Sequence, residues 1–207
     1  MPNIREIHER IESIKQILKI TNAMYLISSS KLKKARKALD STEPYFYKLQ
    51  ETIENVLEHT PHMRQMYFDR RSDIPEDKRK RGYIVITGDK GLCGNYNQNI
   101  LRYTDEKLDA VPDLNNCYLF VMGQVGRLYY QRRIKSGKQA YVDGEFLYTT
   151  QNPTLYRAAE IADIVLEKFK KKELDEVWVL YTDMVTSNVQ EARTVQLLPF
   201  ERRHFGK

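Results

Sequence analysis

Between Pro2 and Thr60 the chain contains no glycine, and Pro44 is the one proline inside that span. A backbone with so few flexible or helix-stopping residues can run as one very long helix, with Pro2 suited to its first turn and a kink or break expected near Tyr45. Within it Ile4, Ile7, Ile11, Ile14, Leu18, Thr21, Tyr25, Ser28, Leu32, Ala35, Leu39 and Thr42 recur in alternating steps of three and four. That is a heptad seam over about five repeats, the pattern of a coiled coil. At about 1.5 Å per residue, the stretch from Asn3 to Ser41 alone would be close to 60 Å long, more than the width of a domain of this size. It must project.

A projecting seam raises an energetic problem. Each large apolar side chain left in water forfeits about 1.5 to 3 kcal/mol, and eight or so together rival the whole stability of a typical domain. The seam therefore requires a partner helix. Around Ile17, Leu18, Ile20, Ala23, Met24, Tyr25, Leu26 and Ile27 the apolar residues go nearly all round the helix, which implies burial on several sides.

The 207 residues suffice for one domain with an extension, and 41% hydrophobic with 11% aromatic residues give it enough apolar surface to fold. Two cysteines, Cys93 and Cys117, are too few and too far apart for a disulfide framework or a four-ligand zinc site, so a reducing compartment fits best. The longest apolar run is about the length of YLFVM, and neither a signal peptide nor a membrane span is expected. The net charge of +6 allows an acidic partner, and its location is informative. Lys15, Lys19, Lys31, Lys33, Lys34, Arg36 and Lys37 lie between Ser13 and Leu39 with no acidic residue among them. Nucleic acid is disfavoured, because no stacking aromatics interleave with this run.

Residues 61–81 are charged and punctuated by proline, which reads as a surface linker with a short helix. Beyond them an α/β pattern begins. Strands are expected at Tyr83–Thr87, Cys117–Met122, Gln139–Val142 and Val177–Tyr181, and helices at Asn95–Leu108, Gln124–Ile134 and Leu155–Lys171. Such alternation calls for a mostly parallel sheet covered on both faces. Arg193–Pro199 would be a last, antiparallel edge strand. The expected division is 1–60 shaft helix, 61–81 linker and 82–207 α/β domain.

The segment TGDKGLCGNYN, Thr87 to Asn97, sits where a strand hands over to a helix, the position of phosphate-binding loops. A Walker loop would need Lys-Ser/Thr after its last glycine, and Asn95-Tyr96 stand there; a dinucleotide fingerprint would need glycine at Asp89. Both nucleotide readings fail. Gly88, Gly91 and Gly94 are then structural, letting the backbone turn and pack closely, with Asn95 or Asn97 capping the next helix and Cys93 a small buried residue. Of the histidines, only His59 and His62 could share a helical face, and His8 and His204 stand alone. No metal site is expected. Carboxylate pairs such as Glu6 and Glu9, or Asp183 and Glu191, read as ordinary surface, so no catalytic residues and no cofactor are assigned.

ITNAM (Ile20–Met24), SSSKLKKA (Ser28–Ala35), PYFYKL (Pro44–Leu49), GYIVITGDKGLCGNYN (Gly82–Asn97) and QLLP (Gln196–Pro199) stand in an order and spacing that resemble one family, the gamma subunit of F-type ATP synthases, over nearly the whole chain. The resemblance implies a central stalk: a coiled coil inserted into a ring of alternating alpha and beta subunits, with a Rossmann-like domain at its foot contacting epsilon and the ring of c subunits. It implies a non-catalytic rotor, coupling proton or sodium flow to ATP synthesis or hydrolysis in the beta subunits, at the cytoplasmic face of a bacterial membrane. Ile20, Thr21, Ala23 and Met24 would face the bore of the ring, and Lys31, Lys33 and Lys34 its acidic lever segments.

Two departures from the family stand out. Asn22 replaces a usual lysine, removing one bore-facing charge. Family members also continue past QLLP into a second long helix, whereas this chain stops at Lys207. The expectation is a truncated shaft whose seam pairs with another copy or bends onto its own domain.

Overall fold

The computed structural model describes residues 3–60, 65–135, 140–186 and 189–200. Contacts divide the chain into two compact units, Met1–Pro61 and His62–Lys207. The first is a single helix, α1, Ile4–His59, of 56 residues. It does not break at Tyr45. Pro44 lies inside the helix, where it has no N–H to give the carbonyl one turn earlier. Just before it the hydroxyls of Ser41 and Thr42 donate to the carbonyls of Lys37 and Ala38, at 2.7 and 2.8 Å. Most residues beside Pro44 are weak helix formers, but Ala35–Leu39 before them and Lys48–Glu51 after them are good ones, and Glu6 in the first turn complements the dipole.

The second unit is a five-stranded sheet between helices. Its elements are β1 (Arg81–Ile86), α2 (Tyr96–Asp109), β2 (Cys117–Met122), α3 (Gln124–Lys135), β3 (Tyr141–Val142), α4 (Leu155–Lys170), β4 (Glu176–Met184) and β5 (Gln190–Leu198). The strand order is β3-β2-β1-β4-β5. β1 is central and parallel to β2 and β4, with Ile84 beside Phe120 on one side and Val179 on the other. β5 is antiparallel to β4 and ends the sheet, as the absence of a helix-length connection anticipates. The expected start of β3 at Gln139 lies outside the described residues. β4 and β5 run longer than their apolar cores suggest, because the polar ends Thr182–Met184 and Gln190–Ala192 pair with each other.

The continuous apolar runs of β1 and β2 follow from burial on both faces. Tyr83, Val85, Leu119 and Val121 pack with Ile100, Leu101 and Leu108 of α2 and Tyr130 of α3. Ile84 and Phe120, one residue out of phase, pack with Ile161, Val165 and Phe169 of α4. Alternation along each strand thus feeds two cores.

The charged segment before β1 is not the plain surface linker its composition suggests. It carries two 3-10 turns, Met66–Phe68 and Glu76–Lys78, and its Arg71 is only 8% exposed. The Arg71 guanidinium donates to the carbonyls of Leu174 and Phe169 at 2.5 and 2.7 Å and to Asp175 at 2.7 Å. It also lies 4.3 Å over the Phe169 ring. The other oxygen of Asp175 accepts from the Lys80 N–H at 2.9 Å, and Arg79 and Arg81 both reach Glu176, at 2.7 and 3.2 Å. A segment that reads as a surface connection is therefore also an ionic clamp joining the entry of β1 to the entry of β4.

Removing one member of a buried, fully bonded ion pair strands the other. Arg71→Ala is expected to cost about 3 to 5 kcal/mol in urea unfolding of the whole chain. A loss within about 0.5 kcal/mol, the range of ordinary surface substitutions, would show that Asp175 finds other partners.

Candidate functional site

Two regions carry the sequence expectations, the surface of α1 and the glycine loop after β1. On α1 the seam is open to solvent: Ile4 is 84% exposed, Ile14 63%, Leu18 57% and Tyr25 70%. Leu57 is the only buried residue of the helix. The belt expected to face a partner, Ile20, Thr21, Ala23 and Met24, is exposed, as are Lys31, Lys33 and Lys34. Those three lysines make no ion pair among the described residues, whereas Arg5 with Glu9, Lys15 with Glu12 and Lys48 with Glu51 do. The helix thus presents apolar and cationic surface together, the composition of a docking face for an apolar, acidic partner.

The glycine loop is built differently from its sequence reading. Gly94 adopts φ +57°, a left-handed turn, and so does Leu92 at 59°; Gly91 has open space around it. Asn95 occupies the N-cap of α2 without a side-chain cap bond. Asn97 instead turns back into the loop, accepting from the Gly88 N–H at 2.7 Å and donating to the Lys90 carbonyl at 3.3 Å. Its amide thereby bridges Gly88 and Lys90 within the loop. Cys93, expected to be buried, is exposed at the rim, where it accepts from Asn97 Nδ2 at 3.1 Å; Cys117 is the buried thiol. The loop turns outward at Leu92, which carries Cys93 into solvent with it.

Asp89 makes a second set of internal bonds. One of its oxygens accepts from the Gln124 N–H at the start of α3, at 3.1 Å. The other accepts from the Thr150 N–H at 3.1 Å and from the hydroxyls of Thr149 and Thr150. The next donors of α3 are also used: Val125 N–H goes to the Gly88 carbonyl at 3.1 Å and Gly126 N–H to the Thr87 hydroxyl at 3.0 Å. A helix N-terminus attracts anions through such free N–H groups. Here the protein's own carboxylate and hydroxyl have taken them.

The closest backbone approaches fall after β2, at glycines the sequence reading passed over. A Cβ on Gly123, at φ +88°, would collide with the Thr87 carbonyl, and one on Gly126 would lie 2.7 Å from the Thr87 side chain. The available signal was a strand ending in Gly-Gln-Val-Gly, which reads as a turn and not as a packing requirement. Among the other candidates, His59 Nδ1 lies 2.7 Å from the Asn55 carbonyl, while His62 and His204 lie outside the described residues. Asp183 and Glu191 face each other across β4 and β5 and share Arg193, at 3.0 and 3.3 Å. No group of three or more metal-ligating side chains occurs among the described residues.

The sequence profile of the ATP synthase family matches residues 3–206. The chain is 44% identical over 199 residues to the ATP synthase gamma chain of Ruminiclostridium cellulolyticum, covering 96% of this chain and 65% of that relative. It is 32% identical over 202 residues to that of Desulfitobacterium hafniense, covering 98% of this chain and 68% of the relative. The chain belongs to the ATP synthase gamma-chain family. Another member, from Acetobacterium woodii, is a gamma chain described as sodium ion specific, 36% identical over 95% of this chain and 61% of its own length. The fold agrees with the central stalk and c-ring structure of Tetrahymena thermophila mitochondrial ATP synthase. That match has a TM-score of 0.61 at 23% identity, over 87% of this chain and 72% of that one. The chain spans about two thirds of its curated relatives' length, and 65% of the Ruminiclostridium one.

Asp89 gives the domain a pH signature. Partial burial alone would raise its pKa, but the hydrogen bonds from Thr149, Gln124 and Thr150 outweigh that and hold it below the ordinary carboxylate value. A lowered folded pKa adds stability that is complete above the unfolded value, about pH 4, and is lost as pH falls through the folded one. Asp89→Asn is expected to cost about 1 to 3 kcal/mol at neutral pH and to flatten the acid limb of urea midpoints plotted against pH. An unchanged acid limb would assign the acid sensitivity to other carboxylates.

Proposed function

We propose that this chain is the central-stalk rotor of an F-type ATP synthase, a non-catalytic subunit that couples ion flow to ATP synthesis or hydrolysis on the beta subunits. One observation carries the reading: a 56-residue helix with a continuous apolar seam and a single buried residue, in a chain of the gamma family. Such a helix stabilises nothing by itself and gains its free energy only when other chains cover it. The α/β domain supports the same view from the other side, because its loop after β1 lacks the Walker and dinucleotide signatures and Asp89 and Thr87 already accept from N–H groups at the start of α3.

On this reading the belt at Ile20, Thr21, Ala23 and Met24 faces the bore of the alpha–beta ring, where contact on several sides matches apolar character all round the helix. Lys31, Lys33 and Lys34 face carboxylates of the ring. Asymmetric contact between a turning helix and the ring would then favour a different state at each catalytic site in turn. The seam takes a second helix of the complete gamma chain, and the α/β domain meets epsilon and the c ring at the cytoplasmic face of the bacterial membrane. No helix among the described residues is long and apolar enough to cross a membrane itself. The boundaries proposed for these roles are 1–60 for the shaft, 61–81 for the connection and 82–207 for the foot.

The test is assembly. The sequence, extended to the full length of its relatives, is expected to join an alpha–beta hexamer and restore ATP-driven ion pumping to synthase membranes lacking gamma. The double variant Ile20→Asp, Met24→Asp is expected to weaken docking by about 100-fold or more, from two apolar burials lost. ATP turnover by the purified chain alone, or docking unaffected by the double variant, would overturn the proposal.

A further inference from the structure

α1 ends at His59 and β1 begins at Arg81, so whatever the helix passes to the α/β domain through the backbone travels along the connector between them. That connector is fastened at three points. Its first 3-10 turn meets the end of β5: the Phe200 N–H donates to the Tyr67 carbonyl at 2.6 Å, and the Phe200 ring centre lies 6.5 and 5.7 Å from those of Tyr67 and Phe68. Its last residues meet the start of β4, where the Asp175 N–H donates to the Lys80 carbonyl at 2.7 Å and Glu176 pairs with Arg79 and Arg81. Arg71, between the two, binds a third element, the corner that joins α4 to β4.

The backbone at Arg71 is unusual. Its φ of +45° lies in the left-handed region, which disfavours any residue with a Cβ. Such a conformation persists only where the surrounding structure over-determines it. Asp69 Oδ1 accepts from the Arg71 N–H at 3.0 Å, and the Ile74 N–H closes the turn on the Arg71 carbonyl at 3.0 Å. Glycine would fit that turn with less strain, so the reason for an arginine there lies in what its side chain holds. Its guanidinium bonds Asp175 and the carbonyls of Leu174 and Phe169. Phe169 and Leu174 are fully buried, in the same core as Ile84 of β1 and Val165 of α4. The corner that Arg71 grips therefore cannot yield unless the packed core yields with it.

Stability alone does not call for this arrangement, because a buried ion pair is often matched by apolar residues of similar volume. What apolar packing lacks is direction. A planar fork bonded to several acceptors at set angles resists twisting of the chain that carries it, whereas apolar contact is non-directional.

We propose that Arg71 is the joint that fixes the connector, and through it α1, to the α/β domain, which makes it a positioning residue for rotary coupling. The coupling role rests on the rotor reading; the fixing of the connector does not. A stiff joint passes each step of the domain to the helix at once, while a loose one absorbs it in twisting the connector.

Two measurements test the joint. Arg71→Gly relaxes the turn and removes the fork. In the 207-residue chain it is expected to accelerate amide exchange at Ile74 and Phe200 by about 100-fold or more, the loss that follows when one member of a buried pair is removed. Leu119, in the middle of β2, is expected to accelerate far less. Arg71→Lys keeps the charge without the fork and is expected to fall between the two. For rotation, the Cys93→Ser chain, extended to the full length of its relatives and bound in a surface-fixed alpha–beta hexamer, carries a bead at Lys107→Cys in α2 or at Glu58→Cys near the end of α1, both exposed positions. During catalytic pauses Arg71→Gly is expected to widen the angular spread of the bead on α2 and to leave that of the bead on α1 unchanged. Ile100→Ala, which opens a cavity in the core on the other face of the sheet, is expected to widen neither. Equal acceleration of the three amides overturns the proposal, as does a spread on α2 that stays unchanged or that Ile100→Ala widens as much. A chain that fails to enter the hexamer sinks the rotor reading alone, and the exchange rates then still decide whether Arg71 fixes the connector.

Discussion

Everything distinctive about this chain depends on apolar surface that its own helix cannot cover. A coiled-coil seam gains about 0.8 kcal/mol for each methylene removed from water, and α1 collects almost none of that gain within itself. Backbone hydrogen bonds and i,i+4 pairs can sustain a long helix, but they add only a few tenths of a kcal/mol per pair. The helix is therefore a structure whose main free energy is held in reserve for association. That constraint also accounts for its composition, since uncovered leucine and isoleucine stay in solution only beside a high density of charge, and the lysines around the seam supply it.

The α/β domain resolves the opposite problem. Its sheet order and its glycine-bearing loop after β1 would ordinarily leave backbone N–H groups free at two helix N-termini, facing the ends of the parallel strands. Here Asp89 and Thr87 take N–H groups at the start of α3, and Asn97 takes the Gly88 N–H within the loop itself. The hydrogen bonds that a nucleotide-binding fold spends on phosphate are turned inward, tying the β1–α2 loop to the start of α3 and to Thr149 and Thr150. The loop is thus fixed by the protein's own side chains and not by a bound phosphate. At the opposite end of the strands the Arg71–Asp175 and Arg81–Glu176 pairs do similar work, holding the chain that enters β1 against β4.

How much of this could be read from sequence follows from how local each signal is. Strands buried on both faces announce themselves as unbroken apolar runs, so β1 and β2 fall where YIVIT and CYLFVM lie, and α4 follows from its helical spacing. The seam was equally plain, because its period is set by the helix alone. Asp89, Asn97 and Gly123 were not, since each acts through a partner between nine and sixty-one residues away. Arg71 was misread for a related reason: in sequence it is one more charge in a charged stretch, and only its partners about a hundred residues on make it a core residue. Cys93 shows the reverse error. A cysteine between glycines looks small and buried, yet the left-handed turn at Leu92 puts it in solvent.

Pro44 shows how a local rule can be outvoted without being wrong. A proline inside a helix costs about 3 kcal/mol, because one backbone hydrogen bond is lost and the ring presses on the preceding turn. Had that ring projected from position a or d, the loss would have been compounded by a gap in the seam. Counted from Ile4 as a, Pro44 falls at f, on the side of the helix away from the seam, and the helix on either side is long enough that restarting it would require a second costly nucleus. Continuing through the proline is then cheaper than stopping, and the two halves of the seam remain in phase. The placement matters more than the residue: what decides whether α1 offers one interaction surface or two is the side of the helix on which the defect falls.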